Sequence, residues 1–433
     1  MLSLLKHLFF LGFLIFSPLC AFARPVILGI DASSDDGTQI GTLIGTEVKK
    51  SFPDVEKQYD SYLTFIISPS QFKQLIPQIK ALKAVVDPAY QAEVDGIAAV
   101  WQLNIRNELG DGKLSIDEFW LLQLLPDLTA INKGSAFAVA NRSDNNPIVA
   151  RNLDWKSPAD LKALQTISIY HYEDRILVNI GFAGLVSVIS GFNDQGLFVS
   201  LIDASELQTS NALLPQAVSG FELRDVLKKM DKIAPASQEL ARKSYSRSHQ
   251  ILLADTENIA VLEQVAGETG TLRQTDSTIV DEMPWNNNQQ LAVVNCFVLK
   301  TSPHNCYASQ DYYQWGRFVQ LSTAFPEQDL SVSNVITIMH DQANIAQALF
   351  NEDTLQSIVF TPKDRALYFS TEAAATQTNE KYPLVEKYQL IKTDANNNVI
   401  EIMLLVFGIV GLVLVWIYVF HGGKVNREKQ RLG

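Results

Sequence analysis

The segment 129–155, TAINKGSAFAVANRSDNNPIVARNLDW, contains two short apolar runs separated by a polar turn. Gly134 and Ser135 open the first run, and the second run leads into Arg151 and Asp154. Short apolar runs joined by Asn and Asp residues are typical of a β-hairpin. A hairpin would place a small nucleophile, an arginine and an aspartate at one end of a sheet. The sequence therefore predicts an active site here.

Both ends of the chain have the composition of targeting segments. Residues 1–23, MLSLLKHLFFLGFLIFSPLCAFA, have an apolar run and end in a small-any-small pattern, which predicts a signal peptide removed after Ala23. A transmembrane helix is the alternative there, although Pro18 and the short run disfavour it.

Near the other end, residues 400–421 include the uninterrupted apolar run IMLLVFGIVGLVLVWIYVF, which is long enough to cross a bilayer. A buried core helix is the alternative interpretation. Residues 422–433 are basic, as cytoplasmic flanks are. We expect a single-pass membrane protein with its body outside the cytoplasm, in the periplasm, a lumen or the extracellular space.

Hydrophobic periodicity divides the body into a helical part and a β-rich part. Residues 24–134 predict one strand followed by helices, including helices over 62–67, 69–83 and 88–106. Residues 135–375 alternate as strands with helices between them, and the predicted strands include 166–172, 175–181, 185–189, 249–254 and 259–264. Residues 376–399 read as a closing strand and linker. The predicted fold class is α+β, with stacked sheets covered by helices.

Net charge, cysteine content and histidine content indicate which ligands the chain could bind. A formal net charge of −12 disfavours nucleic acid, because phosphate binding needs a basic face. Cys296 and Cys306 could pair in an oxidising compartment. Neither the cysteines nor the six histidines have a metal-ligand spacing, so we expect no metal and no cofactor.

The loop 107–118, NELGDGKLSIDE, partly matches a calcium-binding EF-hand loop. Its third position is Leu109, which offers no side-chain oxygen. The alternative is a glycine turn followed by a helix capped by Ser115, with Glu118 in the capping-box position.

Eight segments in this order resemble those of one enzyme group: EVDGIAAVW, LSIDEFWLLQLLPDL, SAFAV, ARNLDW, GFAGLVSVISGFNDQGLFVS, AVVNCF, RFVQL and SIVFTPKDRALYF. The chain resembles, over about residues 37–370, the N-terminal-nucleophile (Ntn) hydrolases of the penicillin V acylase, choloylglycine hydrolase, acid ceramidase and acyl-coenzyme A:6-aminopenicillanic acid acyltransferase group. The resemblance implies a four-layer αββα sandwich. It also implies self-cleavage between Gly134 and Ser135, giving a small chain of 24–134 and a large chain that begins at Ser135.

The resemblance assigns roles to residues that are far apart in sequence. Ser135 would be the nucleophile, with its own α-amino group as the base, because an α-amine titrates near pH 8. Arg151 would lie beside it, and Asp154 would hold the new amine. The remaining assignments are Asn295 as the oxyanion donor, Arg317 as the closing arginine and Asp203 as a pocket residue.

The family nucleophile is nearly always cysteine, which is missing here. Alignment on Phe137 would put Gly134 at that position and imply an inactive protein. Counting back from RNLDW instead places Ser135 sixteen residues before Arg151 and nineteen before Asp154, the spacing expected of the family.

Two functions follow from these alternatives. The first is a membrane-anchored amidohydrolase that cleaves or transfers the acyl group of a small, possibly lipid-like N-acyl amide through an acyl-Ser135 intermediate. The second is an inactive protein of the same fold that binds a ligand or partner.

Overall fold

The computed structural model describes residues 24–103, 106–130, 133–140, 146–156, 159–204, 217–283, 285, 289–302, 305–324, 330–342, 348–371 and 380–382. The chain divides into two units, 1–381 and 382–433. Only Tyr382 of the second unit is described, so the account below concerns the first unit.

Helices dominate the first part of the described chain and recur later between strands. Their bounds are α1 Gly37–Ser51, α2 Val55–Ile66, α3 Pro69–Val85, α4 Pro88–Trp101, α5 Ile116–Gln123, α6 Leu125–Leu128, α7 Ala159–Ala163, α8 Ser219–Lys229, α9 Ile233–Ala241, α10 Tyr312–Ala324 and α11 Val332–Met339.

The strands form two sheets. The larger, in spatial order, contains β1 Val26–Asp31, β4 Gln165–His171, β5 Ile176–Phe182, β6 Ser190–Asn193, β7 Phe198–Asp203, β8 His249–Ala254, β9 Ile259–Gln264 and β10 Thr271–Arg273. The smaller contains β11 Gln290–Val293, β2 Lys133–Val139, β3 Ile148–Asp154, β12 Thr354–Thr361, β13 Ala366–Ser370 and β14 Glu380–Tyr382. Within the larger sheet, β1 runs parallel to β4.

The two sheets pack against each other through alternate residues of their strands. Phe360 of β12 stacks on Phe192 of the larger sheet, with ring centroids 4.2 Å apart. The neighbouring Val359 belongs instead to an apolar cluster with Phe318 of α10 and Val335 of α11. Helices thus cover the outer face of the smaller sheet. Apolar residues of α8 and α9 share a second cluster with strands of the larger sheet. The predicted mixture of helices and stacked sheets is confirmed.

Close helix packing explains the glycines of α1. A Cβ added at Gly41 would lie 2.0 Å from the backbone oxygen of Glu93, and one at Gly96 would lie 2.7 Å from the oxygen of Thr38. Helices α1 and α4 therefore approach each other closely at these glycines.

Several predicted boundaries were wrong. Helix α2 begins at Val55 rather than near residue 62, and α4 ends at Trp101 because Gln102 adopts a left-handed conformation. Residues 185–189, predicted as a strand, form an irregular segment with bends before β6. Strand β2 begins at Lys133, so Gly134 and Ser135 lie inside the strand rather than before it.

The loop 107–118 is held by protein groups. Backbone N–H groups of Gly110 and Gly112 both donate to the Asp60 carboxylate at 2.7 Å. The capping box between Ser115 and Glu118 is present, as the alternative to a calcium site predicted. Among the described residues, no cluster of His, Cys, Asp and Glu could hold a metal ion.

The predicted signal peptide and transmembrane helix lie outside the described residues. Within the ranges given above, no helix is long and apolar enough to cross a membrane.

Candidate active site

Ser135 lies at the centre of a buried polar cluster. It is 0% exposed and pairs with Asn152 across the β2–β3 hairpin. Its Oγ lies 3.3 Å from Nη2 of Arg317, a residue of α10 that is 182 positions away in sequence. The hairpin and the helix over the smaller sheet together bring these two groups into contact.

Arg317 links Ser135 to Asp154. The same Nη2 donates to Asp154 Oδ2 at 3.0 Å, and this ion pair is almost fully buried. Thr354 donates to the other carboxylate oxygen at 2.7 Å, and Asn351 donates to Oδ2 at 3.1 Å. Three donors thus fix the Asp154 carboxylate at the end of β3. Hydrogen bonds to an ionised carboxylate are stronger than those between neutral groups.

Asn295 contacts the residue that precedes Ser135. Its Oδ1 accepts from the Gly134 N–H at 2.9 Å, and its Nδ2 donates to the backbone oxygen of Asp203 at 2.7 Å. In the uncut chain, this amide therefore binds the Gly134 side of the predicted cleavage site.

Gly134 adopts a backbone conformation that favours glycine, with φ of +144°. A Cβ at this position would lie 1.9 Å from the Asn152 oxygen and 2.1 Å from Arg151 Nη1. No L side chain fits there without a change in the positions of both atoms relative to Gly134. The residue before Ser135 is therefore restricted to glycine by both conformation and space.

Arg151 lies beside the junction and also contacts the larger sheet. Its guanidinium donates to Ser200 Oγ at 3.1 Å, to the Leu201 oxygen at 3.0 Å, to the Lys133 oxygen at 3.3 Å and to the Asn152 oxygen. Burial lowers the pKa of Arg151 to about 9, and the nearby Arg317 adds to this effect while Asp154 opposes it. The contact with Lys133 places Arg151 one peptide away from the predicted scissile bond.

The side chain of Asp203, another predicted site residue, faces Arg247 rather than Ser135. Its carboxylate lies 3.7 Å from Nη2 of Arg247. Its backbone oxygen, which accepts from Asn295, joins it to the cluster. The structure thus connects Asp203 to the site through the main chain.

A cavity of about 540 Å³ opens next to this cluster. Its charged lining consists of Lys133, Lys156, Arg317, Asp154, Asp311 and Asp353, and Tyr313 lies at the same opening. Ser135 is fully buried and is not part of the lining. A ligand in the cavity would therefore meet the pair of Asp154 and Arg317 before it reached the serine.

Several residues that hold the cluster were not predicted from the sequence. Thr354 and Asn351 fix Asp154, while Gln250 and Gln314 hold the main chain around Asn295. Only Gln314, three residues before Arg317 on the same helix, had a positional signal in the sequence.

No family model matches the sequence, and no curated protein does so either. Among solved structures, the Caenorhabditis elegans ortholog of N-acylethanolamine-hydrolyzing acid amidase is 17% identical, with a TM-score of 0.42, over 57% of this chain and 100% of its own. Penicillin V acylase from Agrobacterium tumefaciens is 13% identical, with a TM-score of 0.37, over 58% of this chain and 86% of its own. A conjugated bile acid hydrolase from Clostridium perfringens is 12% identical, with a TM-score of 0.35, over 57% of this chain and 96% of its own. These values are low, so function must rest on the side chains of the site.

Proposed function

We propose that the chain is a self-processing Ntn amidohydrolase whose nucleophile is Ser135. The observation that carries this proposal is the buried contact of Ser135, Arg317 and Asp154, directly after a glycine that no other residue can replace. The order of motifs described above supports a four-layer αββα Ntn arrangement of the two sheets and their helices.

In the first step, Ser135 Oγ attacks the carbonyl carbon of Gly134. The new C–O bond forms as the C–N bond to Ser135 breaks, and the released nitrogen takes the hydroxyl proton. Water then hydrolyses the ester, which leaves a carboxylate on Gly134 and a free α-amino group on Ser135. The Gly134 N–H stays on the small chain after cleavage, and movement of the new C-terminus away from the site would free Asn295 Oδ1 from this partner.

In the second stage, the α-amine of Ser135 acts as the base for its own hydroxyl group. The hydroxyl attacks the carbonyl carbon of an N-acyl amide, the amine product leaves, and water releases the acyl group from Ser135. Asp154 would hold the α-amine, and Asn295 would donate to the oxyanion, a role worth a few kcal/mol when the donor is preorganised. We propose a lipid-like acyl group and a membrane-anchored, extracytoplasmic protein.

The test is the intact mass of the purified full-length protein together with its amidase activity. We expect two fragments that separate before Ser135 and hydrolysis within a panel of N-acylethanolamines, penicillin V and bile-salt conjugates. Ser135→Ala should abolish both results, whereas Ser168→Ala, a buried serine on β4, should change neither.

Full burial of Ser135 favours a second candidate, an inactive protein that binds a ligand in the cavity. An intact and inactive wild-type chain would support this second candidate. An intact chain with full hydrolase activity would instead refute the self-processing mechanism.

A further inference from the structure

The main chain around Asn295 is bound by side chains on both sides. The Asn295 N–H donates to Gln314 Oε1 at 3.0 Å. The carbonyl groups of Val294 and Cys296, which flank Asn295, both accept from Gln250 Nε2, at 2.6 and 3.0 Å. Gln250 lies on β8 of the larger sheet and is 0% exposed. One amide group therefore holds the carbonyl groups of the residues before and after the predicted oxyanion donor.

The segment after Asn295 is also fixed. A disulfide joins Cys296 to Cys306, and the Cys306 N–H donates to the Phe297 oxygen at 2.9 Å. Further along, the N–H groups of Val298 and Leu299 donate to the Glu263 carboxylate at 3.2 and 3.3 Å. The predicted pairing of the two cysteines is present, and it tethers the residue next to Asn295.

We propose that Gln250 is a positioning residue for Asn295, assisted by the disulfide between Cys296 and Cys306. This inference rests on the proposed function, in which Asn295 donates to the oxyanion. Gln250 reaches the substrate only through Asn295. An oxyanion donor must be in place before the charge develops, and small displacements reduce its effect. Removal of Gln250 would leave two buried carbonyl groups without this donor, so the segment would shift to find other partners.

The test compares Gln250→Leu with Gln123→Leu in the full-length protein. Gln123 is a matched control because it is also a buried glutamine that bridges main-chain groups, donating to Gly184 and accepting from Val186. Both variants should lose thermal stability. Only Gln250→Leu should lower kcat and the rate of self-cleavage, by about 10- to 100-fold, with less than about a threefold change in KM.

A double-mutant cycle shows whether the effect passes through Asn295. In an Asn295→Ala background, Gln250→Leu should have little further effect on kcat or self-cleavage, because the group that it positions is already missing. An undiminished effect in that background overturns the inference. So does a Gln250→Leu protein whose kcat and cleavage rate stay within twofold of wild type.

Two further measurements keep the inference testable if Gln250→Leu fails to fold. Gln250→Asn retains the amide but withdraws it by about one methylene, and should give an intermediate loss of kcat. Reduction of the disulfide in the mature wild-type protein should lower kcat reversibly, and unchanged kcat in both experiments overturns the inference. A wild-type chain that neither cleaves itself nor hydrolyses an amide refutes the proposed function instead.

Discussion

Gly134 lies where the structure leaves no room for a side chain. Its φ of +144° and the two contacts near 2 Å that a Cβ would make mean that alanine must move the backbone of β2 or β3 as well as the Arg151 side chain. We expect Gly134→Ala to destabilise the fold by more than about 3 kcal/mol and to stop self-cleavage. Thermal unfolding and intact mass of the full-length protein measure the two effects.

Gly181 provides the control for this substitution. It is another buried strand glycine, but a Cβ there would meet only Asn179 Oδ1, at 3.4 Å, together with other atoms of that side chain at a greater distance. Gly181→Ala should therefore leave both the melting temperature and cleavage nearly unchanged. Equal behaviour of the two variants would show that space at Gly134 is not restrictive.

For single residues, the sequence predicted the central members of the polar cluster but not the side chains that hold them. Counting back from the RNLDW motif selected Ser135, and the resemblance selected Asp154 and Arg317, whose Nη2 lies 3.3 Å from the Ser135 hydroxyl and 3.0 Å from Asp154. The sequence did not indicate that Thr354 and Asn351 would bind Asp154, because a polar residue at the start of a strand or just before it gives no signal of where its side chain points.

At the scale of elements, the contact between α6 and α8 includes the carboxyl group of Asp127, whose pKa is shifted. Asp127 of α6 accepts from the N–H and the hydroxyl of Ser219, at 3.1 and 2.8 Å, where α8 begins. Burial raises the pKa of Asp127 to about 6, although the bonds from Ser219 lower it. Asp127 therefore keeps its proton in the folded protein at pH values where the unfolded chain has lost it.

Stability contributed by this proton is present below about pH 4 and is lost as the pH rises toward 6. Asp127→Asn cannot lose a proton. We therefore expect the variant to gain stability relative to wild type between pH 4 and 6, by up to about 3 kcal/mol, with no further gain above pH 7. Denaturant unfolding across this range measures the difference.

Ser219→Ala sharpens this measurement, because it removes the hydroxyl bond that lowers the pKa of Asp127 and keeps the bond from the backbone N–H. In that variant the pH window should move upward. A stability difference between Asp127→Asn and wild type that does not vary with pH would contradict the assignment to this carboxyl group.

The element pattern was predicted well where apolar residues alternated clearly, as in β4, β5, β8 and β9. It was wrong at residues 185–189, because these are buried below α8 in an irregular segment rather than in a sheet. A short apolar run is compatible with any buried backbone, so periodicity alone could not separate these cases.

At the scale of the whole molecule, the residues before and after Gly134 form one folded body. Strand β1 pairs with β4 over six residues, and the Tyr59 hydroxyl donates to the Ala183 oxygen at 2.6 Å. Glu93 of α4 forms an ion pair with Arg224 of α8 at 2.8 Å, and both side chains are buried. The disulfide lies wholly after Ser135, so it does not link the two proposed fragments.

We therefore expect the cleaved fragments to remain together without a covalent bond. They should elute as one species in gel filtration and separate in denaturing gels without a reductant. Glu93→Gln should weaken the association by about 3–5 kcal/mol, because it leaves the Arg224 charge buried without its partner.

Asp35→Asn is the matched control for Glu93→Gln, because Asp35 pairs with Lys228 across the same boundary but is exposed. Exposed ion pairs contribute less than about 1 kcal/mol, so this variant should dissociate at nearly the same urea concentration as wild type. Equal midpoints for the two variants would mean that the buried ion pair does not hold the fragments together. In that case the association would depend on the β1–β4 pairing and on the apolar contacts that α1 and α4 make with residues after Ser135.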